Sequence, residues 1–538
     1  MNLSLQSQLA IRLNPVDDVA IALVPLPARR MVQVGGIPVR IKTDVPVGHK
    51  FALHALDNGA PIRRYGQVIG FAMAPIEAGE HVHSHNLHVG NMTLDYAFGA
   101  DLRPVPYVPA AQRRTFQGYR RADGRVGTRN TIAVISTVNC SAHTVKKIAE
   151  RARAELLPRF PNVDDIVALV HRNGCGTKHG SPEVEVLQRT LAGHAHQPNV
   201  AAYIFVGLGC EVNQFYDLVG RPEFAGEAQP PYLGIQDTGG VAATVEAGLE
   251  MVAALLPKAN EAHRVEVPVS ELVVGLECGG SDSFSGITAN PALGLAVDWL
   301  VTQGGTAVLA ETPEVYGAEH LLTRRAVSPK VGQKLIDRIH WWEAYTARHN
   351  FEIDNNPAPG NKAGGLTTIY EKSLGAVAKG GSMPLQAVYG YAERITERGF
   401  CFMDTPGYDP VSVTGLAAGG CNLIAFTTGR GSCFGYKPVP SIKITTNSTT
   451  YRRMPHDMDI NAGAALEGGS LAGVAEEIIE QFIAVASGKQ SKSEAQGIGE
   501  EEFSPWILGQ RCSKMFTTAV RKPGGILDKV ANVYSEAQ

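Results

Sequence analysis

The stretch Thr131-Ile132-Ala133-Val134-Ile135-Ser136-Thr137-Val138-Asn139-Cys140 decides the fold class of this 538-residue chain. Residues 131–136 form a β-branched apolar run, which is typical of a strand buried on both faces. A helical pattern follows from 142 to about 157, and the next apolar run lies at 166–170. A buried strand, a helix and a second buried strand in succession predict a parallel α/β sheet.

The same alternation continues toward the C-terminus, with an interruption at the charged, proline-flanked residues 257–268. The further predicted elements are a helix near 182–194, strands at 201–206, 272–276, 306–310 and 423–426, and a helix after Pro291. We therefore predict two α/β domains with mainly parallel sheets, at 118–262 and 268–515. The polar stretch 488–502 is predicted to be a surface loop or tail.

Toward the N-terminus the pattern changes to short β-branched runs between Gly and Pro. These runs predict strands at 18–24, 31–34, 39–42, 61–65 and 68–72. A small all-β domain over 1–100 fits this spacing. Residues 101–117 carry three prolines and little periodicity, so we predict a linker there.

Composition narrows the class of protein. The 49 basic and 52 acidic residues leave a net charge of −3, which argues against broad nucleic-acid binding. We find no apolar run near the roughly eighteen residues of a membrane span and no secretory signal, so we expect no membrane partner. Eight cysteines over so long a chain favour reduced thiols over a disulfide framework. A cytoplasmic enzyme is the expectation.

Four cysteines each follow a predicted strand: Cys140, Cys175, Cys210 and Cys278. The carboxyl ends of parallel strands are where ligands bind in open α/β sheets. Thiolates that converge at one sheet edge suit iron, as a cluster or a mixed-ligand centre, so these four are candidate metal ligands. The alternative is that each is a small buried residue.

A histidine-rich segment lies in the N-terminal domain, at residues 79–86. Its histidines stand at alternate positions, which in a strand point to one face. We take His83 and His85 as candidate metal ligands, with His49 as a candidate partner. A solvated strand edge is the alternative.

Glycine-rich loops supply candidate substrate contacts. Residues 279–282 and 429–431 offer backbone N–H groups beside hydroxyl or cationic side chains, and 359–362 adds an amide and an ammonium group. The candidate substrate-binding residues are Ser281, Asp282, Asn361, Lys362 and Arg430. Ordinary turns are the alternative. Neither a Gly-x-Gly-x-x-Gly nor a Walker A loop is present, so nucleotide binding has no support.

Several motifs occur together and in consistent order along the chain. They include Gly48-His49-Lys50-Phe51-Ala52-Leu53, Arg64-Tyr65-Gly66, Gly127-Thr128-Arg129-Asn130, Gly207-Leu208-Gly209-Cys210-Glu211, Cys278-Gly279-Gly280-Ser281-Asp282, Pro359-Gly360-Asn361-Lys362-Ala363, Glu371-Lys372-Ser373-Leu374-Gly375 and Thr427-Thr428-Gly429-Arg430-Gly431. Together they resemble the altronate/galactarate dehydratase family. The histidine-rich segment is similar to altronate enzymes, whereas 322–327 and 458–463 are more similar to galactarate enzymes.

The resemblance implies an N-terminal SAF-type β-clip domain followed by two α/β domains. It implies a hydro-lyase that removes water from a sugar acid and yields a 2-keto-3-deoxy acid. It also implies iron, as Fe²⁺ or an iron–sulfur cluster, or another divalent cation in its place. His171, His179 and Lys372 are the candidate bases, because a base must reach the proton beside the carboxylate. An oligomer of identical chains is a further expectation.

Galactarate is the leading substrate in this interpretation. The alternatives are an altronate dehydratase, a sulfo-lyase of the same family, and a carbohydrate-binding protein without catalytic activity. Because a fold alone does not give a function, only turnover of a substrate distinguishes the enzymes from the binding protein.

Overall fold

The computed structural model describes residues 9–90, 92–353 and 356–508. A small all-β region is followed by two regions with parallel sheets and helices, which confirms the predicted fold class. The outermost ends of the predicted domains, 1–8 and 509–515, lie outside the described residues.

The N-terminal region is built from short strands joined by tight turns. Its strands are β1 (Ala10–Ile11), β2 (Val19–Ala22), β3 (Met31–Val34), β4 (Ile37–Arg40), β5 (Lys50–Ala52), β6 (Pro61–Arg64), β7 (Gln67–Ala72), β8 (His81–Val82) and β9 (Leu87–His88). Gly35 and Gly36 both have positive φ and join β3 to β4. Positive φ at both central residues is the requirement of a two-residue hairpin turn that matches the strand twist.

The second region holds a four-stranded parallel sheet in the order β13-β12-β14-β15. Its elements are β10 (Thr115–Arg120), β11 (Val126–Gly127), β12 (Thr131–Ser136), α1 (Ala142–Glu155), β13 (Asp165–Leu169), α2 (Pro182–Ala195), β14 (Val200–Gly207), α3 (Phe215–Val219), β15 (Tyr232–Gly234), α4 (Ile235–Thr238), α5 (Val241–Asn260) and β16 (Val265–Pro268). Ile132 and Val134 pack against α1 and α5, whereas Ala133 and Ile135 pack against α2. Helices on both faces explain why β12 is buried at every position.

The C-terminal region holds a seven-stranded parallel sheet in the order β19-β20-β18-β17-β21-β22-β23. Its elements are β17 (Val273–Cys278), α6 (Ala289–Thr302), β18 (Thr306–Leu309), α7 (His320–Thr323), α8 (Pro329–Arg348), α9 (Pro359–Ala363), α10 (Ile369–Val377), β19 (Leu385–Tyr389), β20 (Gly399–Met403), α11 (Asp409–Gly419), β21 (Leu423–Thr428), β22 (Ser441–Thr445), α12 (Ser448–Arg453), β23 (Ile460–Asn461), α13 (Leu471–Ala486) and α14 (Lys492–Ala495). The loops after β17, β18 and β21 leave the sheet at the same edge.

The three regions share hydrophobic cores. One apolar cluster contains Ile69 of the N-terminal region together with Leu276 and Ile442 of the large sheet. A second cluster joins Ile135 of the four-stranded sheet to Ile424 of β21. Burial of apolar side chains across both boundaries holds the regions in one arrangement.

Three predictions at the boundaries were wrong in part. The predicted linker at 101–117 ends in β10, which pairs with β16. The predicted break at 257–268 contains the last turn of α5 and the whole of β16. The predicted loop at 488–502 contains α14, where Glu494 forms an ion pair with buried Arg129. Strand pairing and the ion pair give parts of these segments regular structure, although most of their residues are exposed or only partly buried. No helix within the described residues is long and apolar enough to cross a membrane.

Candidate active site

A buried cluster of acidic and basic side chains lies at the carboxyl edge of the seven-stranded sheet. Cys278 is the last residue of β17, and Glu311 and Glu314 follow β18. One ligand atom from each of these three residues lies within 4.8 Å of the other two. Parallel pairing of β17 with β18 brings them together.

Two lysines complete this cluster. The Lys379 ammonium group lies 2.9 Å from Cys278 Sγ and 3.1 Å from Glu311 Oε2. Lys372 donates to Glu314 Oε1 at 2.5 Å and to Asn356 Oδ1 at 3.0 Å. Two ammonium groups therefore face the two carboxylates, so the cluster balances its charge from its own side chains.

Burial and neighbouring charges set the protonation of the cluster. Burial raises the pKa of Glu311, and the adjacent Glu314 carboxylate raises it further. Burial also acts to raise the pKa of Glu314, but Lys372 and Lys379 outweigh it and lower that pKa. Burial alone would lower the pKa of Lys372, yet Glu314 raises it above its ordinary value. Lys372 is therefore a cation near pH 7 and has no free lone pair with which to accept a proton.

Asp409 lies beside this cluster as the first residue of α11. Burial raises its pKa to about 7, and the Glu311 and Glu314 carboxylates act in the same direction. Its side chain is partly exposed. A Cβ at Gly279 would lie 2.3 Å from Asp409 Oδ2, so the loop after β17 passes close to this carboxylate.

The loops predicted to bind substrate meet around one turn. Gly280 accepts a hydrogen bond from the Arg430 backbone N–H at 2.8 Å, and Ser281 accepts one from Asn361 Nδ2 at 2.8 Å. Arg430 is exposed and Lys362 is half-exposed. Neither side chain has a hydrogen-bond or ion-pair partner among the residues that the structure describes. Two unpaired cations therefore flank this turn.

The carboxylate of Asp282 is engaged in hydrogen bonds. Its carboxylate is buried and accepts hydrogen bonds from Thr446 Oγ1 at 3.0 Å and from Asn447 Nδ2 at 3.2 Å. Burial raises its pKa to about 6. These hydrogen bonds hold the loop in place, and a substrate contact by Asp282 stays a prediction.

The predicted histidines do come together, at the boundary between the N-terminal and C-terminal regions. His49 Nδ1 lies 3.0 Å from His81 Nε2, and the His81 and His85 ring centroids are 5.5 Å apart. His83 Nε2 lies 3.0 Å from the Lys362 carbonyl oxygen. Burial lowers the pKa of His81 to about 3 and of His83 to about 4, so these imidazoles are neutral near pH 7.

The four strand-end cysteines divide between two sheets, which corrects the expectation of a single edge. Cys140, Cys175 and Cys210 follow β12, β13 and β14 of the four-stranded sheet, and all three are exposed free thiols. Cys278 is buried at the end of β17 in the other sheet. The predicted boundary between the two α/β domains, at 262–268, already separates Cys278 from the other three, and the expectation of a single edge overlooked it.

His171 and His179 do not fit the predicted role of base. His171 Nε2 lies 2.9 Å from the Ser136 carbonyl oxygen, and its Nδ1 accepts from the Asn173 N–H at 3.0 Å. Both ring nitrogens are therefore engaged by backbone, and burial lowers the His171 pKa to about 4. His179 lies on the surface, where it pairs with Asp217 at 2.9 Å.

Sequence reasoning missed four residues of the site, namely Glu311, Glu314, Lys379 and Asp409. The first two follow the predicted strand at 306–310, so the rule that sites follow strand ends would have found them. Lys379 lies just after α10, in a 3₁₀ turn that brings it to the cluster. No local pattern marks it.

The fold and this site define an α/β protein with a buried cluster of acidic and basic side chains and a turn flanked by two cations. Family models match the whole arrangement: the altronate/galactarate dehydratase SAF domain at 8–90, the D-galactarate dehydratase/altronate hydrolase second domain at 118–260, and the D-galactarate/altronate dehydratase C-terminal domain at 269–511.

Curated relatives agree with these models. Altronate dehydratase of Bacillus subtilis is 36% identical over 484 residues, which cover 89% of this chain and 95% of the relative. Altronate dehydratase of Escherichia coli is 36% identical, covering 91% and 97%. Galactarate dehydratase (L-threo-forming) of Escherichia coli is 37% identical, covering 83% and 87%. The chain belongs to the altronate/galactarate dehydratase family, which confirms the predicted carbon–oxygen lyase class.

Proposed function

We propose that this enzyme removes water from an aldarate, galactarate in the first place, to give a 2-keto-3-deoxy acid. The observation that carries the reaction type is the buried cluster at the edge of the large sheet. It combines ionised lysines, which stabilise negative charge, with a carboxyl group whose pKa lies near 7. Loss of water from such an acid needs both.

Asp409 is the proposed base. The reaction takes a proton from the carbon next to a carboxylate, and negative charge then builds up on that carboxylate. A base with a pKa close to the working pH combines a useful ionised fraction with a useful affinity for the proton. Lys372 and Lys379 remain positively charged beside Asp409 and are suited to stabilise the developing charge.

The two unpaired cations support an aldarate over an aldonate. Arg430 and Lys362 belong to loops that are hydrogen-bonded to adjacent residues of one turn, Gly280 and Ser281. An aldarate carries two carboxylates and can engage both cations, whereas altronate carries one. Arginine can bind a carboxylate through two parallel hydrogen bonds, so Arg430 also fixes the orientation of the substrate. Altronate is the second candidate, because curated altronate enzymes match nearly the full length of the chain.

We also propose that activity requires iron. A bound metal ion would supply Lewis acidity that makes the proton more acidic and hydroxide easier to expel. Cys278, Glu311 and Glu314 offer suitable ligand atoms, but Lys379 lies 2.9 Å from Cys278 Sγ and Lys372 lies 2.5 Å from Glu314. A divalent cation there would be repelled by two ammonium groups, so this set does not fit a metal.

The test has two parts. The first is turnover of galactarate, altronate and (2R)-sulfolactate by iron-reconstituted protein, with 2-keto acid as the readout for the two sugar acids and sulfite for sulfolactate. We expect galactarate to give the highest kcat/KM. A higher kcat/KM for altronate would make altronate the substrate in place of galactarate. Turnover of none of the three compounds would refute the proposed function.

The second part is the variant Asp409→Asn. Since the base form of Asp409 predominates above its pKa, kcat/KM of the wild type should rise through about pH 7 and then level off. The variant should lose this rise together with about 10²- to 10⁴-fold of its rate. Asp217→Asn, which breaks the surface pair with His179, is the matched control and should keep the profile. A variant at 409 that still shows the rise excludes Asp409 as the base.

A further inference from the structure

We infer that Asn356 is a positioning residue for the reaction, which orients the Lys372 ammonium group so that one of its N–H bonds is left for the substrate. The inference rests on the proposed function, in which Lys372 stabilises the negative charge that develops on the substrate. Asn356 acts through Lys372 and not on the substrate itself.

The side chain of Asn356 contacts both members of a buried ion pair. Its Oδ1 accepts a hydrogen bond from Lys372 Nζ at 3.0 Å, and its Nδ2 donates to Glu314 Oε1 at 2.9 Å. Lys372 Nζ itself lies 2.5 Å from the same Glu314 oxygen. Only this orientation of the amide serves both partners, because an ammonium group can only donate and a carboxylate can only accept. The three groups therefore close a ring of hydrogen bonds in which each fixes the other two.

This ring leaves one donor of Lys372 unused. An ammonium group has three N–H donors. Among the residues that the structure describes, Glu314 and Asn356 are its two hydrogen-bond acceptors, although the Lys372 side chain is only 7% exposed. The third N–H therefore needs an acceptor from outside the protein. A substrate carboxylate, which gains negative charge during the reaction, is such an acceptor.

Glu314 is a fixed anchor for this arrangement. Its second oxygen, Oε2, accepts from Cys278 Sγ at 3.2 Å, so both carboxylate oxygens are engaged. A Cβ at Gly407 would lie 3.2 Å from Glu314 Cγ, so the chain that leads to Asp409 passes against this side chain. Because Glu314 is held on several sides, the direction of the Lys372 ammonium group depends on its second acceptor, Asn356.

The loop that carries Asn356 is held by contacts in which the Asn356 side chain takes no part. Asn361 Nδ2 donates to the Ser281 carbonyl oxygen at 2.8 Å, and Asn361 Oδ1 accepts from the Ala358 N–H at 2.9 Å. Loss of the Asn356 amide should therefore leave Lys362 in place. The loop and the ammonium group can thus be perturbed separately.

Asn356 also lines a cavity of about 180 Å³, together with Trp342 and Gly407. The side chain is half-buried, and a cavity of this size has room for water. Water that replaces the amide can hydrogen-bond to Lys372 and Glu314, but it does not hold them in one direction. We therefore expect Asn356→Ala to fold and to keep the ion pair while it loses the orientation of the ammonium group.

The test is a double-mutant cycle on full-length, iron-reconstituted protein, with the sugar acid that gives the highest kcat/KM. Asn356→Ala should lower kcat about tenfold or more, the loss expected for one hydrogen bond to a charged group. Its KM should change less than about twofold, because Arg430 and Lys362 still hold the substrate. In a Lys372→Met background, Asn356→Ala should change kcat less than about twofold, since its effect passes through Lys372.

Two further variants serve as controls. Asn162→Ala removes another half-buried amide, which donates to the Asn260 carbonyl oxygen at 2.8 Å in the second region, and it should leave kcat and KM unchanged. Lys372→Gln keeps a neutral donor for Glu314, and it replaces Lys372→Met in the cycle if the methionine variant does not fold.

A second cycle needs no substrate. Asn356→Ala, the Lys372 variant and the double variant are unfolded with urea and followed by circular dichroism. The losses in free energy of unfolding of the two single variants should add up to more than that of the double variant, because one contact can be lost only once.

The outcomes separate this inference from the proposed function. A higher KM with unchanged kcat would show that Asn356 only holds the loop, and an equal loss of kcat in both backgrounds would show that it does not act through Lys372. Either result, or unchanged kinetics of Asn356→Ala, overturns the inference. If the wild type converts no sugar acid, the proposed function fails and the unfolding cycle decides alone: additive losses overturn the positioning of Lys372 by Asn356, and non-additive losses support it.

Discussion

Replacing Glu371 with Gln should lower the free energy of unfolding more than the loss of an exposed ion pair does, because Glu371 holds the N-terminal region against the C-terminal region. Glu371 is fully buried on α10 and faces two buried cations of the N-terminal region. Lys50 Nζ lies 2.9 Å from Glu371 Oε2, and Arg64 Nη1 donates to Oε1. Gln keeps the shape but leaves both cations without a counter-charge.

Two arguments give the size of the loss in free energy of unfolding expected for Glu371→Gln. Removing one partner of a buried ion pair costs about 3–5 kcal/mol. Burial acts to raise the pKa of Glu371, but Lys50 and Arg64 outweigh it and lower the pKa from 4.5 to about 2. A shift of that size corresponds to about 3 kcal/mol of stability. The two figures agree, so we expect a loss of about 3–5 kcal/mol at pH 7.

The pH dependence has a definite sign. A carboxyl group with a depressed pKa stabilises the folded state fully above its unfolded pKa and loses this effect as pH falls toward the folded value. The difference between wild type and Glu371→Gln should therefore be constant above about pH 4.5 and shrink toward pH 2.

Urea unfolding followed by circular dichroism at several pH values measures this difference. The matched control is Glu480→Gln, because Glu480 pairs with Arg114 but has 63% of its side chain exposed. That change should cost less than about 1 kcal/mol. A loss below 1 kcal/mol in Glu371→Gln, or one of equal size at pH 2 and pH 7, would refute the reasoning.

Two further predictions concern the site. Arg430→Lys keeps the charge but loses the bidentate contact, so kcat/KM for galactarate should fall about tenfold or more while iron content stays at the wild-type level. Arg452→Lys, on the exposed end of α12, is the control. Unchanged kinetics of the Arg430→Lys variant would remove Arg430 from the site. Chelation of iron should abolish turnover and ferrous iron should restore it; full turnover by protein shown to be metal-free by elemental analysis would exclude the metal requirement.

Strands buried on both faces could be predicted from the sequence. The prediction at 131–136 coincides with β12 (Thr131–Ser136), and 306–310 differs from β18 (Thr306–Leu309) by one residue. Such strands carry a nearly continuous apolar run, so their local signal is strong. β22 (Ser441–Thr445) was missed because Lys443, fully buried at its centre, interrupts the apolar run.

The sheet that a strand joins could not be predicted, because pairing depends on contacts between distant parts of the chain. The error over the four cysteines had another source, because the predicted boundary at 262–268 already places Cys278 in a different α/β domain from the other three. The rule that ligands bind at strand ends identified the loops of all four, yet it carries no information on which strands are neighbours. The rule was correct for each loop, and the error arose when the loops were combined.

The protonation state of the buried side chains also could not be predicted from the sequence. Lys372 was identified as a candidate base through its motif, and the structure does bring it into the cluster. However, Glu314 at 2.5 Å keeps its ammonium group charged, so it is suited to stabilise an anion. Its neighbour Glu371 points about 100° around the same helix, toward Lys50 and Arg64. Within one turn of α10, Glu371 therefore pairs with the N-terminal region and Lys372 pairs with Glu314 in the site. The docking of that region and the position of Lys372 thus depend on the same short helix.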